Sequence, residues 1–100
     1  MTERVLLTSE ELQSFSRMMP QWTVNEIAIE RVFKFANFVE AFAFMTEVAK
    51  IAEELDHHPD WSNSWNTVKI SITNHQAGGI TEVDLYMCAR IEETAKRWGK

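Results

Sequence analysis

The spacing of apolar residues changes along the chain, and this change limits the folds that the chain can adopt. From residue 22 to 35 and again from 68 to 73, apolar and polar side chains alternate, as in strands with one buried face. Residues 8–19, 36–55 and 81–98 carry apolar residues every three to four positions, as in helices. The pattern predicts an α+β fold of order α-ββ-α-ββ-α, in which two hairpins form a four-stranded antiparallel sheet with the helices packed on one face.

The first alternating stretch predicts a hairpin that turns at Asn25-Glu26. Odd-numbered residues of its second strand share one face, and Arg31 interrupts their apolar row. These apolar residues are Ile27, Ile29, Phe33 and Phe35. The second hairpin pairs a short strand at Trp61–Trp65 with the strand at 68–73, and residues 74–79 form the loop that follows.

The predicted helices carry recognisable start and stop signals. Thr8 and Glu11 have capping-box spacing, and Pro20 ends the first helix. Thr81 is expected to cap the last helix, with Asp84 in its first turn where a negative charge favours the helix dipole. The two terminal helices are therefore expected to begin just after these threonines.

The middle helix has two neighbouring apolar stripes. The first contains Phe38, Phe42, Met45, Ala49 and Ala52, and the second contains Ala41, Phe44, Val48, Ile51 and Leu55. Together they cover roughly half of the circumference, which is more than one core face requires. Two explanations stay open: the helix is buried against both the sheet and the terminal helices, or part of the second stripe faces a neighbouring subunit.

Length, charge and cysteine content narrow the class of protein. The 100 residues are predicted to form a single domain, 1–100, because that length is near the commonest domain size. A net charge of −5 disfavours direct nucleic-acid binding. The single cysteine, Cys88, excludes an internal disulfide and favours a cytoplasmic location. The segment Met1–Thr8 lacks signal-peptide features, and the longest apolar run, Ala41–Met45, is far too short to span a membrane.

All three histidines are predicted to lie in loops. His57 and His58 follow the middle helix, and His75 follows the last strand. Because helix ends and strand ends meet at one rim of a two-layer domain, the three imidazoles are expected to converge there. Imidazole titrates near neutral pH and both donates and accepts protons. The sequence therefore predicts a general acid–base site, with merely solvated surface histidines as the alternative.

Three carboxylates are expected near the same rim. Glu53 and Asp56 precede the histidine pair, and Asp84 lies in the first turn of the last helix. If the middle helix extends far enough, Glu53 and His57 would stack at i,i+4 spacing. A zinc site is a weaker alternative, since adjacent histidines seldom ligate one tetrahedral ion and no metal-binding spacing accompanies them.

Other reactive or aromatic residues have simpler explanations. Trp61 and Trp65 have faces that can stack on a flat heterocycle, although aromatic residues in a hairpin more often pack. Cys88 lies among apolar neighbours and is expected to be a buried, inert thiol. Gly78-Gly79 indicates a turn and not a phosphate-binding loop.

One continuous motif resembles a known family. Residues 53–61 read Glu-Glu-Leu-Asp-His-His-Pro-Asp-Trp, and the alternating strand Val68–Thr73 leads into Asn74-His75. This combination strongly resembles the pterin-4a-carbinolamine dehydratases, also called 4a-hydroxytetrahydrobiopterin dehydratases. The segment Phe42–Ala49 looks like the long helix of that family, and the resemblance extends from about Trp22 to the C-terminal helix.

The resemblance implies a lyase that removes water from a 4a-hydroxytetrahydropterin to give the quinonoid dihydropterin, with no metal or redox cofactor. It also implies a homodimer or homotetramer and a functional link to an aromatic amino acid hydroxylase, which makes the carbinolamine. The three catalytic histidines of the family match His57, His58 and His75, of which His57 and His75 are expected to exchange protons while His58 orients the pterin. The residues that match the lining of the pterin pocket are Glu53, Asp56, Trp61 and Asp84.

Two further expectations follow from the resemblance. Asp56 and Asp84 would hold imidazole tautomers or bind ring N–H groups. Animal members carry an arginine just before the pocket aspartate, whereas this chain has Val83, so it lacks that anchor for the pterin side chain. The alternative from another functional class is a non-catalytic dimerisation or interaction module for a transcription factor or another cofactor pathway, because some animal relatives also have that role.

Overall fold

The structure is a computed structural model that describes residues 5–100. In this part of the chain three α-helices and four strands follow the predicted order. Their bounds are α1 Ser9–Met18, β1 Thr23–Val24, β2 Ile29–Lys34, α2 Phe38–Leu55, β3 Asp60–Ser64, β4 Thr67–Ile72 and α3 Glu82–Ala95, and a 3₁₀ turn at Lys96–Trp98 ends the chain. The α+β fold is therefore confirmed. The expectation that the N-terminal segment lacks signal-peptide features also involves residues 1–4, which lie outside the described residues.

The strands form one antiparallel sheet in the order β1-β2-β4-β3. Alternate residues of the two central strands are buried: Ile29 and Phe33 in β2, and Val68, Ile70 and Ile72 in β4. They form one hydrophobic core with apolar side chains of α2 and α3. The strand β3 lies at an edge of the sheet, and its first residue, Asp60, is paired with Ser71 near the end of β4.

The strand β2 begins two residues later than the alternation predicted. The Asn25 side chain accepts hydrogen bonds from the N–H groups of Ile27 and Ala28, at 2.8 and 2.9 Å, and thereby closes a local turn. Ile27 belongs to this turn and is 67% exposed, so its predicted place on the buried face was wrong. The other members of that row, Ile29, Phe33 and Phe35, are buried as predicted.

Arg31, which interrupts the apolar row, is neutralised inside the fold. Its guanidinium forms an ion pair with Glu92 of α3 and lies 4.2 Å from the ring centroid of Phe33. The Trp22 indole N–H also donates to Glu92, at 2.6 Å. A charge on the core face is tolerated here because a partner carboxylate and an aromatic face replace its water.

The two stripes of α2 are buried to different extents. The second stripe provides Ala41, Phe44, Val48 and Ile51 to the core, so the hypothesis that part of it faces a neighbouring subunit was wrong. The exposed apolar side chains are Phe38 and Phe42 of the first stripe, together with Val39. Phe38, Val39 and Phe42 form the α2 apolar patch, in which the two phenylalanine rings lie 5.7 Å apart. The other explanation, burial against the sheet and the terminal helices, is confirmed for β4 and α3, both of which contact α2.

The predicted helix starts are confirmed at both terminal helices. At α1 the Thr8 N–H donates to the Glu11 carboxylate at 2.8 Å, and the Glu11 N–H donates to the Thr8 hydroxyl at 3.2 Å, which is a capping box. The helix ends at Met18, before Pro20. At the other end of the chain, α3 begins at Glu82, directly after Thr81.

Candidate active site

The C-terminus of α2 turns the chain sharply into the histidine pair. Asp56 adopts a left-handed conformation (φ 48°) and its N–H donates to the Glu53 carbonyl at 3.3 Å, while the His57 N–H donates to the Ala52 carbonyl at 3.0 Å. These two bonds form a Schellman motif, which ends the helix at Leu55. The expected stacking of Glu53 on His57 was therefore wrong, because His57 lies beyond the helix.

His57 is held in a buried pair with Asp84. Its Nε2 lies 2.5 Å from Asp84 Oδ1, and the two side chains are 7% and 0% exposed. The second carboxylate oxygen of Asp84 accepts hydrogen bonds from the Thr81 N–H and the Thr81 hydroxyl, at 2.6 and 2.9 Å. Of the two roles expected for Asp84, this geometry favours holding an imidazole tautomer, because both of its oxygens are already engaged within the protein.

His58 is paired with the glutamate that was expected to contact its neighbour. Its Nε2 lies 2.6 Å from Glu53 Oε2, and both side chains are more than half exposed. The left-handed turn at Asp56 brings His58 back over the last turn of α2, which makes this contact across five residues geometrically accessible.

His75 reaches the same end of the molecule from a tight loop. The Asn74 side chain accepts a hydrogen bond from the Ala77 N–H, and the Asn74 N–H donates to the Gly79 carbonyl. Gly78, with φ +81°, supplies the positive dihedral that the turn requires. His75 Nε2 thereby lies 3.0 Å from Asp60 Oδ2, and both groups are exposed.

The structure thus contains three imidazole–carboxylate pairs close together. His57, His58 and Asp60 lie within four consecutive residues, a span of at most about 11 Å, and Asp60 contacts His75. In each pair a carboxylate faces Nε2, and an ionised carboxylate only accepts hydrogen bonds, so the imidazole carries its proton on Nε2 and leaves Nδ1 as the basic nitrogen. One buried and two exposed rings of this kind are suited to proton transfer.

The remaining predicted site residues lie around these pairs. Asp56 is exposed in the turn after α2, and Trp61, 37% exposed, follows Asp60 on the edge strand. A shallow groove of about 270 Å³ is lined by Glu30, Asp60, Trp61, Ser62, Lys69 and Ser71. Trp65 lies in the turn just after β3, about 13 Å from Trp61 by the rise of an extended chain, so the structure separates the two tryptophans that were considered for stacking.

Two residues that contact the predicted site were not assigned to it from sequence. Asp60 was part of the motif without a role, yet it is the partner of His75. The sequence did contain a signal for this contact. If a strand that starts at Asp60 pairs in antiparallel fashion with a strand that ends just before His75, the two side chains come close together. Thr81 was predicted only as a helix cap, and its two hydrogen bonds to Asp84 had no separate sequence signal.

The remaining features considered are the Cys88 thiol, possible metal-binding groups and possible membrane-spanning helices. Cys88 is completely buried, and this burial raises the pKa of its thiol, so it is not an activated nucleophile. Among residues 5–100, no group of three or more His, Cys, Asp or Glu side chains is arranged to hold a metal ion. Within the same residues, no helix has both the length and the apolar character needed to cross a bilayer.

Comparisons with known proteins agree with the motif. The sequence profile of the family described as pterin 4 alpha carbinolamine dehydratase matches residues 5–94. A relative from Prochlorococcus marinus (strain NATL2A), provisionally named a pterin-4-alpha-carbinolamine dehydratase, is 44% identical over 88% of this chain and 93% of its own length. One from Rhizobium leguminosarum bv. trifolii (strain WSM2304), with the same provisional name, is 49% identical over 78% of this chain and 79% of its own.

Solved structures show the same fold. A crystal structure described as a transcriptional coactivator/pterin dehydratase from Brucella melitensis has a TM-score of 0.85 and 38% identity, covering 89% of this chain and 97% of that one. A pterin dehydratase-like protein identified as a RuBisCO assembly factor of the alpha-carboxysome has a TM-score of 0.61 at 21% identity, covering 74% of this chain and 86% of that one, which shows similarity of fold alone. With its motif, its fold and a profile match over nearly its whole length, the chain belongs to the pterin 4 alpha carbinolamine dehydratase family.

Proposed function

We propose that this protein is a hydro-lyase that dehydrates a 4a-hydroxytetrahydropterin to the quinonoid dihydropterin, the step that recycles the pterin cofactor of an aromatic amino acid hydroxylase. The observation that carries the proposal is the presence of three imidazole–carboxylate pairs, His57–Asp84, His58–Glu53 and His75–Asp60, whose members His57, His58 and Asp60 lie within four consecutive residues. Family membership supports it.

The reaction needs two proton transfers and nothing else. The hydroxyl group on C4a becomes a good leaving group when an acid protonates it, and it departs as water. A base takes the proton from N5 as the C4a–N5 double bond forms, so the substrate loses one water molecule and no electrons are exchanged. An imidazolium acid and a neutral imidazole base supply both transfers, with an expected contribution of about 10²–10⁴-fold.

The pairs suggest a division of labour among the histidines. His57 and His75 exchange the protons through Nδ1, because in each ring Nε2 faces a carboxylate that fixes the orientation of the imidazole. His58 orients the pterin, Trp61 offers an aromatic surface to the flat ring, and Glu53 and Asp56 accept hydrogen bonds from ring N–H groups.

A coupled assay tests this function directly. A pterin-dependent hydroxylase generates the 4a-carbinolamine, and its dehydration is followed by absorbance with and without this protein. We expect acceleration that is proportional to protein concentration and is abolished in a His57→Ala/His75→Ala double variant. If the protein causes no acceleration at any concentration, the enzyme proposal fails and the non-catalytic interaction module becomes the better explanation.

The proposal includes assembly with further copies of the chain. The α2 apolar patch supports it, since Phe38, Val39 and Phe42 are 47%, 75% and 56% exposed on one helix. We expect light scattering to give a mass of two or four times 11.6 kDa. Phe42→Glu is expected to lower this mass, while Ile27→Glu, a control at a more exposed apolar residue outside the patch, leaves it unchanged. A wild-type protein that is monomeric at 100 µM or so, well above typical assembly affinities, would contradict this part of the proposal.

We also propose that residues 1–100 form one domain and that it acts in the cytoplasm. A single hydrophobic core that includes side chains from α1, the sheet and α3 supports the first statement. A single, buried and unpaired cysteine supports the second, because reducing compartments keep thiols free.

A further inference from the structure

We propose that Thr81 is a positioning residue: by fixing Asp84, its hydroxyl keeps His57 in the Nε2–H tautomer, with Nδ1 as the proton-exchanging nitrogen. This inference rests on the proposed function, in which His57 exchanges a proton with the substrate. It adds a residue that the catalytic motif does not contain and that acts only through its neighbours.

The first support is the complete engagement of a buried carboxylate. Asp84 is 0% exposed; its Oδ1 faces His57 Nε2 at 2.5 Å, and its Oδ2 faces the N–H and the hydroxyl of Thr81 at 2.6 and 2.9 Å. Removal from water is costly for a carboxylate unless hydrogen bonds replace its hydration. Because a carboxylate is planar, two bonds on Oδ2 fix the direction in which Oδ1 points, and therefore the place where the imidazole N–H must lie.

The second support is the contrast between the two capping threonines of this chain. Thr8 and Thr81 each precede a helix, with an acidic residue three positions later. At α1, the exposed Thr8 hydroxyl accepts a hydrogen bond from the Glu11 N–H at 3.2 Å. At α3 the Thr81 N–H donates to the Asp84 carboxylate, as in the capping box of α1, and the buried Thr81 hydroxyl donates to the same carboxylate. The same sequence pattern thus caps a helix in both places, and at α3 it also holds a histidine-bound carboxylate.

The third support is that Thr81 is itself held from the opposite side. Leu6 and Thr81 form an antiparallel bridge, and the Leu7 N–H donates to the Ile80 carbonyl at 2.9 Å. Thr81 is 0% exposed. Its backbone is therefore fixed between the N-terminal segment and α3, so its two donors present a constant geometry to Asp84.

The consequence concerns where the proton resides on His57. The N–H and the hydroxyl of Thr81 both donate to Oδ2, and an ionised Asp84 accepts a third hydrogen bond from His57 through Oδ1. In this arrangement His57 donates from Nε2, and its other nitrogen, Nδ1, gains or loses the proton during turnover. Without the Thr81 hydroxyl, Asp84 keeps only the backbone N–H on Oδ2 and is free to rotate, so the tautomer and the direction of the ring are less strictly defined.

The test compares Thr81→Val with two matched variants. Thr81→Val removes the hydroxyl while keeping the shape, Thr81→Ser restores a hydroxyl, and Thr8→Val removes the corresponding hydroxyl at the other capping box. We expect Thr81→Val to lower kcat by about 10- to 100-fold, as misplaced catalytic groups do, with a much smaller change in KM. Thr81→Ser is expected to recover most of the activity, and Thr8→Val to retain it.

Nitrogen-15 NMR of the His57 ring supplies the readout that a purely structural role would not change. In the wild-type protein and in Thr81→Ser we expect the Nε2–H tautomer of His57, and in Thr81→Val a mixture of tautomers. An Nδ1–H tautomer in the wild-type protein would overturn the inference without any variant, even if Thr81→Val does not fold. An unchanged tautomer and unchanged kcat in a folded Thr81→Val would also overturn it, leaving Thr81 as a helix cap.

The two measurements distinguish failure of this inference from failure of the proposed function. The NMR measurement needs no turnover, so it reports on Thr81, Asp84 and His57 even in a protein that shows no dehydratase activity. Absence of activity in the wild-type protein would refute the proposed function and, with it, the catalytic consequence, whereas a wrong tautomer in an active protein would refute only the role of Thr81.

Discussion

Replacement of His75 by alanine is expected to lower kcat by about 100-fold or more while leaving the fold intact. The ring is proposed to exchange a proton with the substrate, and loss of a positioned acid or base costs about 10²–10⁴-fold. Its side chain is 76% exposed, and its pair with Asp60 is at the surface, so its removal should change the free energy of unfolding by no more than about 0.5 kcal/mol. Steady-state kinetics and urea denaturation of the same preparation check both expectations.

The neighbouring exposed residue provides the control for His75. Gln76→Ala alters the same loop without removing an ionisable group, and we expect its kcat to stay within about twofold of wild type, as for ordinary surface changes. If His75→Ala retains nearly the wild-type kcat, or if its loss of activity is matched by loss of folding, His75 has no catalytic role.

Replacement of Asp84 by asparagine is expected to reduce both activity and stability. The amide keeps the size of the side chain but replaces one acceptor oxygen with a donor, so it cannot accept hydrogen bonds from both His57 Nε2 and Thr81. One buried group is then left without its partner, at a cost of about 1–3 kcal/mol in the free energy of unfolding. Loss of the correct His57 tautomer should lower kcat by about 100-fold. Chemical denaturation and kinetics measure the two effects separately.

Glu82→Gln is the matched control for Asp84→Asn. It removes one negative charge from the same first turn of α3, where Glu82 is exposed, and so reproduces the effect on the helix dipole alone. We expect it to keep wild-type kcat. Equal effects of the two substitutions would mean that Asp84 acts only as a helix-terminal charge.

Much of the fold could be predicted because alternation and capping are local properties. The alternation of Val68, Ile70 and Ile72 with polar residues identified the buried face of β4, whereas its central place in the sheet follows only from the structure. The start of β2 could not be predicted, since the Asn25 side chain competes with strand pairing for the Ile27 N–H, and the alternation of residues does not reveal this competition. Likewise, the α2 stripes were correctly recognised as helical, but which stripe is buried depends on how α2 lies against the sheet.

The positions of the three histidines in the fold were predictable from the sequence, whereas the carboxylates that pair with them were not. The loop positions of His57, His58 and His75 followed from the element order. Their partners did not: the left-handed turn at Asp56 assigns Glu53 to His58 instead of His57. The role of Thr81 was hidden because its sequence spacing to Asp84 is that of an ordinary capping box, and only burial distinguishes it from Thr8.

A crystal structure of the protein with a bound dihydropterin shows directly whether the three imidazoles form the pterin site. We expect the flat ring to lie between His57, His58 and His75, with a ring nitrogen or C4a within hydrogen-bonding or contact distance of at least two of the imidazoles. A second groove of about 250 Å³, between α1 and the β1–β2 turn, is lined by Ser9, Leu12, Gln13, Ser16, Val24, Asn25 and Glu26. A pterin bound there, or anywhere out of reach of all three imidazoles, would show that the histidines do not form the catalytic site.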